Sequence, residues 1–325
     1  MKSTSQAPET VDQRPLSQKL IAAASTIGRS YGVSGEIHPD DHIFWYACDE
    51  QYRLHKSETP DFYFSSGRGT AEFLRDLLAE PCLQSQLAER PRPNDALSIL
   101  EFASGYGRVT RFFPQVLPAA QVVACDIHPD AVAFLRGIGL DAVLSSAVPE
   151  KLTTGRTFDV VFALSFFTHM PRSTWTRWLT SLANQLVPGG LLIFTTHGKV
   201  SQGLMGAKEL EPDGFYFTPA SEQKDLPVHE YGNTVTTFEY VYSQLARTGL
   251  TLLQYKQAGI AHHDVYVLRR GDASGQTPIT PDPGNQYPGE EVMKLRAEVA
   301  ALRRSTSWRM TAPARALVDA LRRLR

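Results

Sequence analysis

The sequence predicts an α/β domain built on a mostly parallel β-sheet, and two observations carry that prediction. Short apolar runs, SILEF, VVACD, FDVVFAL and LLIFTT, alternate with amphipathic stretches from about residue 97, the pattern of buried parallel strands joined by covering helices. Further on, TLLQYKQA and VYVLRR are separated only by GIAHHD, a link too short for a crossover, so this pair is antiparallel. A short DAVLSS piece between the second and third runs supplies another parallel strand, which makes a seven-stranded sheet with its last strand antiparallel.

The 325 residues are 42% hydrophobic with a formal net charge of −1, enough for a sizeable core and too neutral for a general nucleic-acid binder. The opening MKSTSQAPETVDQRP lacks the apolar run of a secretory signal, and no stretch approaches the roughly 20 apolar residues of a membrane span. A cytoplasmic location is therefore expected. Cys48, Cys82 and Cys125 form neither an even framework nor a CxxC pair, so buried structural thiols are expected rather than disulfides. No ligand spacing specifies a metal site.

Along the chain, residues 1–15 read as a disordered start and residues 16–94 as a helical lead-in that caps the core. The clearest helix of this lead-in follows Gly69, with Phe73, Leu74, Leu77 and Leu78 at helical spacing, Pro81 as its stop and Ser65–Gly69 as the turn before it. Residues 95–270 hold the sheet, and residues 271–289 form a Pro/Gly-rich linker. In the 290–325 tail, Val292, Leu295, Val299 and Leu302 follow the a/d spacing of a short coiled coil before a basic segment containing Trp308. Such a tail suits self-association, docking on a partner enzyme, or peripheral contact with the inner face of the cell membrane.

The segment ILEFASGYGRV puts Glu101 at a strand end, then a turn of Ala103, Ser104, Gly105 and Gly107, then a helix starting near Val109. Glycines let backbone approach a ligand without a Cβ in the way, and a helix start adds free N–H groups at the sheet's carboxyl edge. Asp126 ends the next strand, where a carboxylate can accept both hydroxyls of a ribose. A dinucleotide fingerprint would need glycine at position 110, where Thr110 stands. Glu101 likewise suits a cationic sulfonium ligand with an amino group and repels a pyrophosphate.

These runs, with VVACDIHPDAVAFL, FDVVFALSFFTHM and LVPGGLLIFTTHG in the same order, resemble the Rossmann-like core of the class I S-adenosylmethionine-dependent methyltransferases over about residues 95–270. The resemblance implies S-adenosyl-L-methionine as cofactor. It places the methionine part against Glu101 and the Ala103–Gly107 turn, the ribose on Asp126 and the adenine beside Ile127. Many members read the adenine amine with an acidic residue where this chain has Ser146 and Ala147; these two and Ser165, after the third apolar run, complete the expected cofactor contacts. Arg68 is a candidate for the cofactor carboxylate.

Methyl transfer to a hydroxyl needs a base, and His169, His197 and His263 all fall at the carboxyl edge of the expected sheet. Each is a catalytic candidate. After LLIFTTHG comes a long insertion carrying GFYF and HEYGNT, whose Phe215, Tyr216, Phe217 and Tyr231 offer either a lid over the acceptor or an aromatic mini-core. YFSSGRG, EYGNT and HHDVYVLRR resemble methyltransferases found with polysaccharide synthesis, and ALRRSTSWRMTAPAR is similar to a C-terminal element of bacterial cell-surface glycosyltransferases. The expected reaction is methylation of a sugar hydroxyl in a surface polysaccharide of the O-antigen type, or its precursor, with a glycan acceptor and a glycosyltransferase partner or self-association through the tail. The alternatives are a small-molecule or natural-product O- or N-methyltransferase and a non-catalytic scaffold in a glycan-assembly complex. A nicotinamide-dependent dehydrogenase is disfavoured by Thr110 and Glu101.

Overall fold

The computed structural model describes residues 18–48, 59–91, 95–205, 209–220, 226, 228–246 and 248–271. The disordered start, the linker after Gly271, the coiled coil and the basic tail read from the sequence lie outside these residues. Every described residue belongs to one compact unit, Met1–Gly275.

Strand β1 (Leu97–Phe102) is flanked in parallel by β2 (Ala120–Asp126) and β4 (Phe158–Ala163). Beyond them lie β3 (Ala142–Leu144) and β5 (Leu186–Thr196), also parallel. β9 (His263–Arg270) runs antiparallel to β5, and β8 (Leu250–Ile260) closes the edge, giving the order β3-β2-β1-β4-β5-β9-β8. The strands read as apolar runs because both faces are covered: β4 is buried at every position. Leu100 and Phe102 point into one core with Trp175 and Phe194, while Ile99 points into the other with Phe64 and Phe112.

Helix α7 (Arg172–Asn184) fills the first face, while α3 (Thr59–Leu78) and the shorter α1 (Gln18–Ser30), α2 (His42–Cys48) and α4 (Pro81–Ala88) form the capping lead-in. The strand order reverses between β1 and β4, which opens a crevice at their carboxyl ends.

Three local expectations are corrected. The lead-in helix does not begin after Gly69 but runs unbroken through Ser65–Gly69. A Cβ on Gly67 would stand 2.1 Å from the Arg108 carbonyl oxygen, so this glycine marks a close helix approach and not a turn. The helix expected near Val109 is a 3₁₀ turn at Thr110–Phe112 followed by a single-turn α5 (Phe113–Val116). The link between the last strands is only Ala261 and His262, both at positive φ (46° and 66°), so His263 and Asp264 already belong to β9.

The insertion after β5 is also structured. It holds α8 (Lys199–Met205) and a hairpin of β6 (Phe215–Thr218) and β7 (Asn233–Thr236), and leads into α9 (Phe238–Leu245). β7 lies across the carboxyl ends of the main sheet: Gly232 N donates to His169 O, Thr234 N to Thr168 O and Thr236 N to His197 O. Arg172 fastens the other side, ion-paired with Glu211 and Asp213 and lying over the Phe215 ring. Phe215 is therefore core, whereas Tyr231 faces the crevice. Among the described residues no helix is long and apolar enough to cross a membrane.

Candidate active site

The crevice is a cleft of about 500 Å³, lined along one side by the turn between β1 and Thr110. Ala103, Gly105 and Gly107 all take positive φ, at 57°, 56° and 77°. The two glycines are needed for different reasons. A Cβ on Gly107 would meet the Leu135 side chain at 2.4 Å, so that position serves packing. At Gly105 a Cβ would meet no protein atom within 4 Å, so the peptide there lies open to a ligand. Ser104 also lines the cleft and fixes the turn by donating its N–H to Cys125 O.

Two carboxylates end the neighbouring strands. Glu101, 3% exposed, accepts a hydrogen bond from the Thr110 hydroxyl at 2.5 Å. Burial pushes its carboxyl up to about 7, against the opposing pull of the Thr110 hydrogen bond and the Arg108 charge. Asp126 Oδ2 accepts from Gly105 N at 2.7 Å, while Oδ1 accepts from His128 N at 3.0 Å and lies 2.8 Å from His128 Nδ1. The carboxylate is thus oriented before any ribose arrives, with the glycine turn and the strand end locked together.

Beyond Asp126, Ile127, Ser146, Ala147 and Ser165 line the cleft. Ser165 has φ 56° and donates its N–H to Thr195 Oγ1, a strained residue held at the carboxyl end of β4. Sequence reasoning missed the aromatic wall of the cleft, formed by Phe166 and Trp178 packed edge to face. It also missed the lead-in's contribution: Asp41 and Ile43 line the cleft, and His38 stacks on Tyr106 at 4.6 Å. Apolar spacing marks such residues as core, and no local pattern tells core from cleft wall. Arg68 is the misplaced candidate. It sits on the exposed face of α3, paired with Glu72 at 2.9 Å, and does not line the cleft, because the continuous helix turns it outward.

The three histidines come together at the carboxyl edge, with ring centroids 6.3 Å apart for His169 and His197 and 4.8 Å for His197 and His263. Only His169 lines the cleft. Its Nδ1 lies 2.7 Å from Gly232 O, and since a carbonyl only accepts, Nδ1 carries the proton and, in the neutral ring, Nε2 the lone pair. Tyr231 stacks on this ring at 4.4 Å. His197 and His263 sit behind it, pressed down to about 4 and about 3 by burial, and so are uncharged at neutral pH. Asp264, next to His263, is spent on the fold, accepting from Tyr255 OH and Ala258 N. Among the described residues no cluster of three His, Cys, Asp or Glu side chains is arranged to hold a metal ion.

Open backbone at Gly105, a buried acid beside it and an oriented carboxylate on the next strand form a cleft shaped for a nucleoside carrying an amino-acid end. Residues 100–192 match the model of a methyltransferase domain. That stretch carries a methyltransferase domain on a seven-stranded α/β fold with an antiparallel strand near its edge, and the cleft beside it fits S-adenosylmethionine as methyl donor.

Among solved structures, the chain is similar to an S-adenosylmethionine-dependent methyltransferase from Clostridium acetobutylicum, at 15% identity, covering 71% of this chain and 98% of that one, with a TM-score of 0.47. It is also similar to an amino pentose methyltransferase from Micromonospora echinaspora, at 16% identity, 63% and 92% coverage and a TM-score of 0.43. A third is DesVI from Streptomyces venezuelae, at 15% identity, 73% and 99% coverage and a TM-score of 0.44. No curated protein matches the chain.

Proposed function

We propose that the chain transfers the methyl group of S-adenosylmethionine to a hydroxyl of a sugar, in a bacterial surface polysaccharide or its precursor, with His169 as the base. The observation that carries this reading is the Tyr231–His169 stack on the cleft wall. Tyr231 offers a flat amphipathic face of the kind sugars cover, and the Gly232 carbonyl holds His169 in the tautomer whose Nε2 can accept a proton. The EYGNT motif that supports a polysaccharide context supplies this machinery: Tyr231 stacks, Gly232 O fixes His169 and Thr234 O lies 3.1 Å from His197 Nδ1.

The bound sulfonium supplies an electrophilic methyl carbon and a neutral thioether leaving group. The protein's part is alignment, exclusion of water and receipt of the acceptor proton. Glu101 and the open turn hold the amino-acid end, Asp126 the ribose, and Ile127 and Phe166 line the space beside them.

The test is incubation of the full chain with S-adenosylmethionine and a panel of nucleotide-linked and lipid-linked sugars, with S-adenosylhomocysteine release and the acceptor mass gain both followed. Methylated sugar with the wild type and none with His169→Asn supports the proposal. Turnover confined to amines or free phenols replaces it with small-molecule methylation, and binding of the donor with no turnover on any acceptor points to a scaffold.

A further inference from the structure

Three arginines stand on α3 and just after the glycine turn, Arg68, Arg108 and Arg111, and they differ in what their donors are doing. Arg68 is paired with Glu72 on the surface. Arg111 is buried and saturated: it donates to the carbonyls of Ser34, Glu36, Tyr106 and Gly107 and lies over the Tyr63 and Phe64 rings. It binds the lead-in to the glycine turn and has no capacity left for a ligand.

Arg108 is the exception. It lines the cleft, yet among the described residues its one hydrogen bond is from Nη1 to Ser66 Oγ at 3.1 Å, and it makes no ion pair. A guanidinium has five N–H donors, and among the described residues none of those that Arg108 leaves unused is a buried unpartnered atom, so they stay available to a ligand in the cleft. The nearby carboxyls do not. Asp41 accepts from Tyr63 OH and Phe44 N, and Glu101 from Thr110. Burial lowers the Arg108 guanidinium from its ordinary range, while facing Tyr63, Glu101 and Asp41 hold its charge.

We propose that Arg108 receives the carboxylate of the methyl donor's amino-acid end, with Ser66 and Gly67 of α3 as its positioning residues. An amino-acid end is a zwitterion, and Glu101 and Arg108, both lining the cleft, present the opposite pair of charges. Ser66 sets the direction of the guanidinium. Gly67, by lacking a Cβ, admits the Arg108 carbonyl and lets α3 come close enough for that contact. The SSGRG motif of the lead-in therefore acts on the cofactor through its serine and glycine and not through its own arginine.

The assignment rests on S-adenosylmethionine as donor, and its test needs no acceptor. Binding of S-adenosylhomocysteine, which has the carboxylate, and of methylthioadenosine, which lacks the whole amino-acid end, is measured by calorimetry on the wild type, Arg108→Met and Arg108→Lys. Arg108→Met weakens S-adenosylhomocysteine roughly 10- to 100-fold and leaves methylthioadenosine unchanged, with Arg108→Lys between. If Arg108→Met does not fold, Ser66→Ala serves instead, with a loss of a few-fold for S-adenosylhomocysteine alone. Equal weakening of both ligands, or of neither, overturns the arginine assignment while the donor stands. Failure of the wild type to bind S-adenosylhomocysteine overturns the donor and the assignment together.

Discussion

Thr110 donates its hydroxyl hydrogen to Glu101 Oε2 across 2.5 Å, so the residue that breaks a dinucleotide-type glycine pattern is also the one that holds the cofactor-side acid. In the sequence Thr110 only argued against a pyrophosphate ligand. In the structure it favours the ionised form of a buried carboxyl that burial drives toward neutrality. Thr110→Val keeps the bulk and removes the donor. S-adenosylhomocysteine binding, measured by calorimetry, should weaken about tenfold, with a larger loss below neutral pH than above it. An unchanged affinity would show that Glu101 needs no such support.

The raised Glu101 value sets two pH dependences of opposite sign. Between about 4.5, its ordinary value, and about 7, the folded ligand-free chain holds a proton that the unfolded chain has released. This residue's contribution to stability without ligand therefore falls as pH rises through that window and is level above it. A ligand ammonium favours the carboxylate, so binding releases the proton and affinity climbs with pH until about 7. Calorimetry in buffers of different ionisation enthalpy detects that proton directly, and pH-independent affinity with no proton release would contradict the account.

The histidines should separate by function. His169→Asn should remove most turnover and leave S-adenosylhomocysteine affinity within about twofold, since it touches the acceptor half of the cleft. His263→Asn should act on stability instead. Its folded value near 3 lies below the ordinary 6.5, so the unfolded chain binds more protons in between and stability is lost as pH falls through that window. Thermal unfolding across acid pH should show a flatter low-pH limb in this variant. A turnover loss matching that of His169→Asn would place His263 in the chemistry.

Gly67 and Gly105 should respond differently to alanine. At Gly67 the new Cβ meets Arg108 O at 2.1 Å, so α3 must shift, at a cost of about 1–3 kcal/mol in chemical unfolding and with weaker donor binding through the displaced Arg108. At Gly105 the space is open but φ is +56°, so Gly105→Ala carries backbone strain and places a methyl in the ligand's path. Its affinity loss should exceed its stability loss, the reverse of Gly67→Ala.

The strands and the two acids were legible in the sequence because their signals are local. A strand covered on both faces must be an apolar run, and Glu101 and Asp126 stand where such runs end. What could not be read are relationships across the chain. Arg68 and Arg108 look equally available as text, and it takes the fold to tell them apart: Arg68 pairs with Glu72 outside the cleft, while Arg108 lines it and reaches Ser66, 42 residues back. Gly67 looks like part of a turn because close helix packing and turn formation select the same residue, whereas a Cβ on Gly69 would meet nothing within 4 Å. The β6–β7 hairpin escaped because its backbone partners include Thr168, His169 and His197, which follow strands of the main sheet far back in the chain.

That hairpin divides the molecule's tasks along the chain. Glu101 and Asp126 stand on β1 and β2, whereas the tautomer of His169 and the ring above it are set by Gly232 and Tyr231. In the proposed reaction acceptor choice is therefore a separable module: exchange of residues 209–237 should change what is methylated and leave S-adenosylhomocysteine affinity intact.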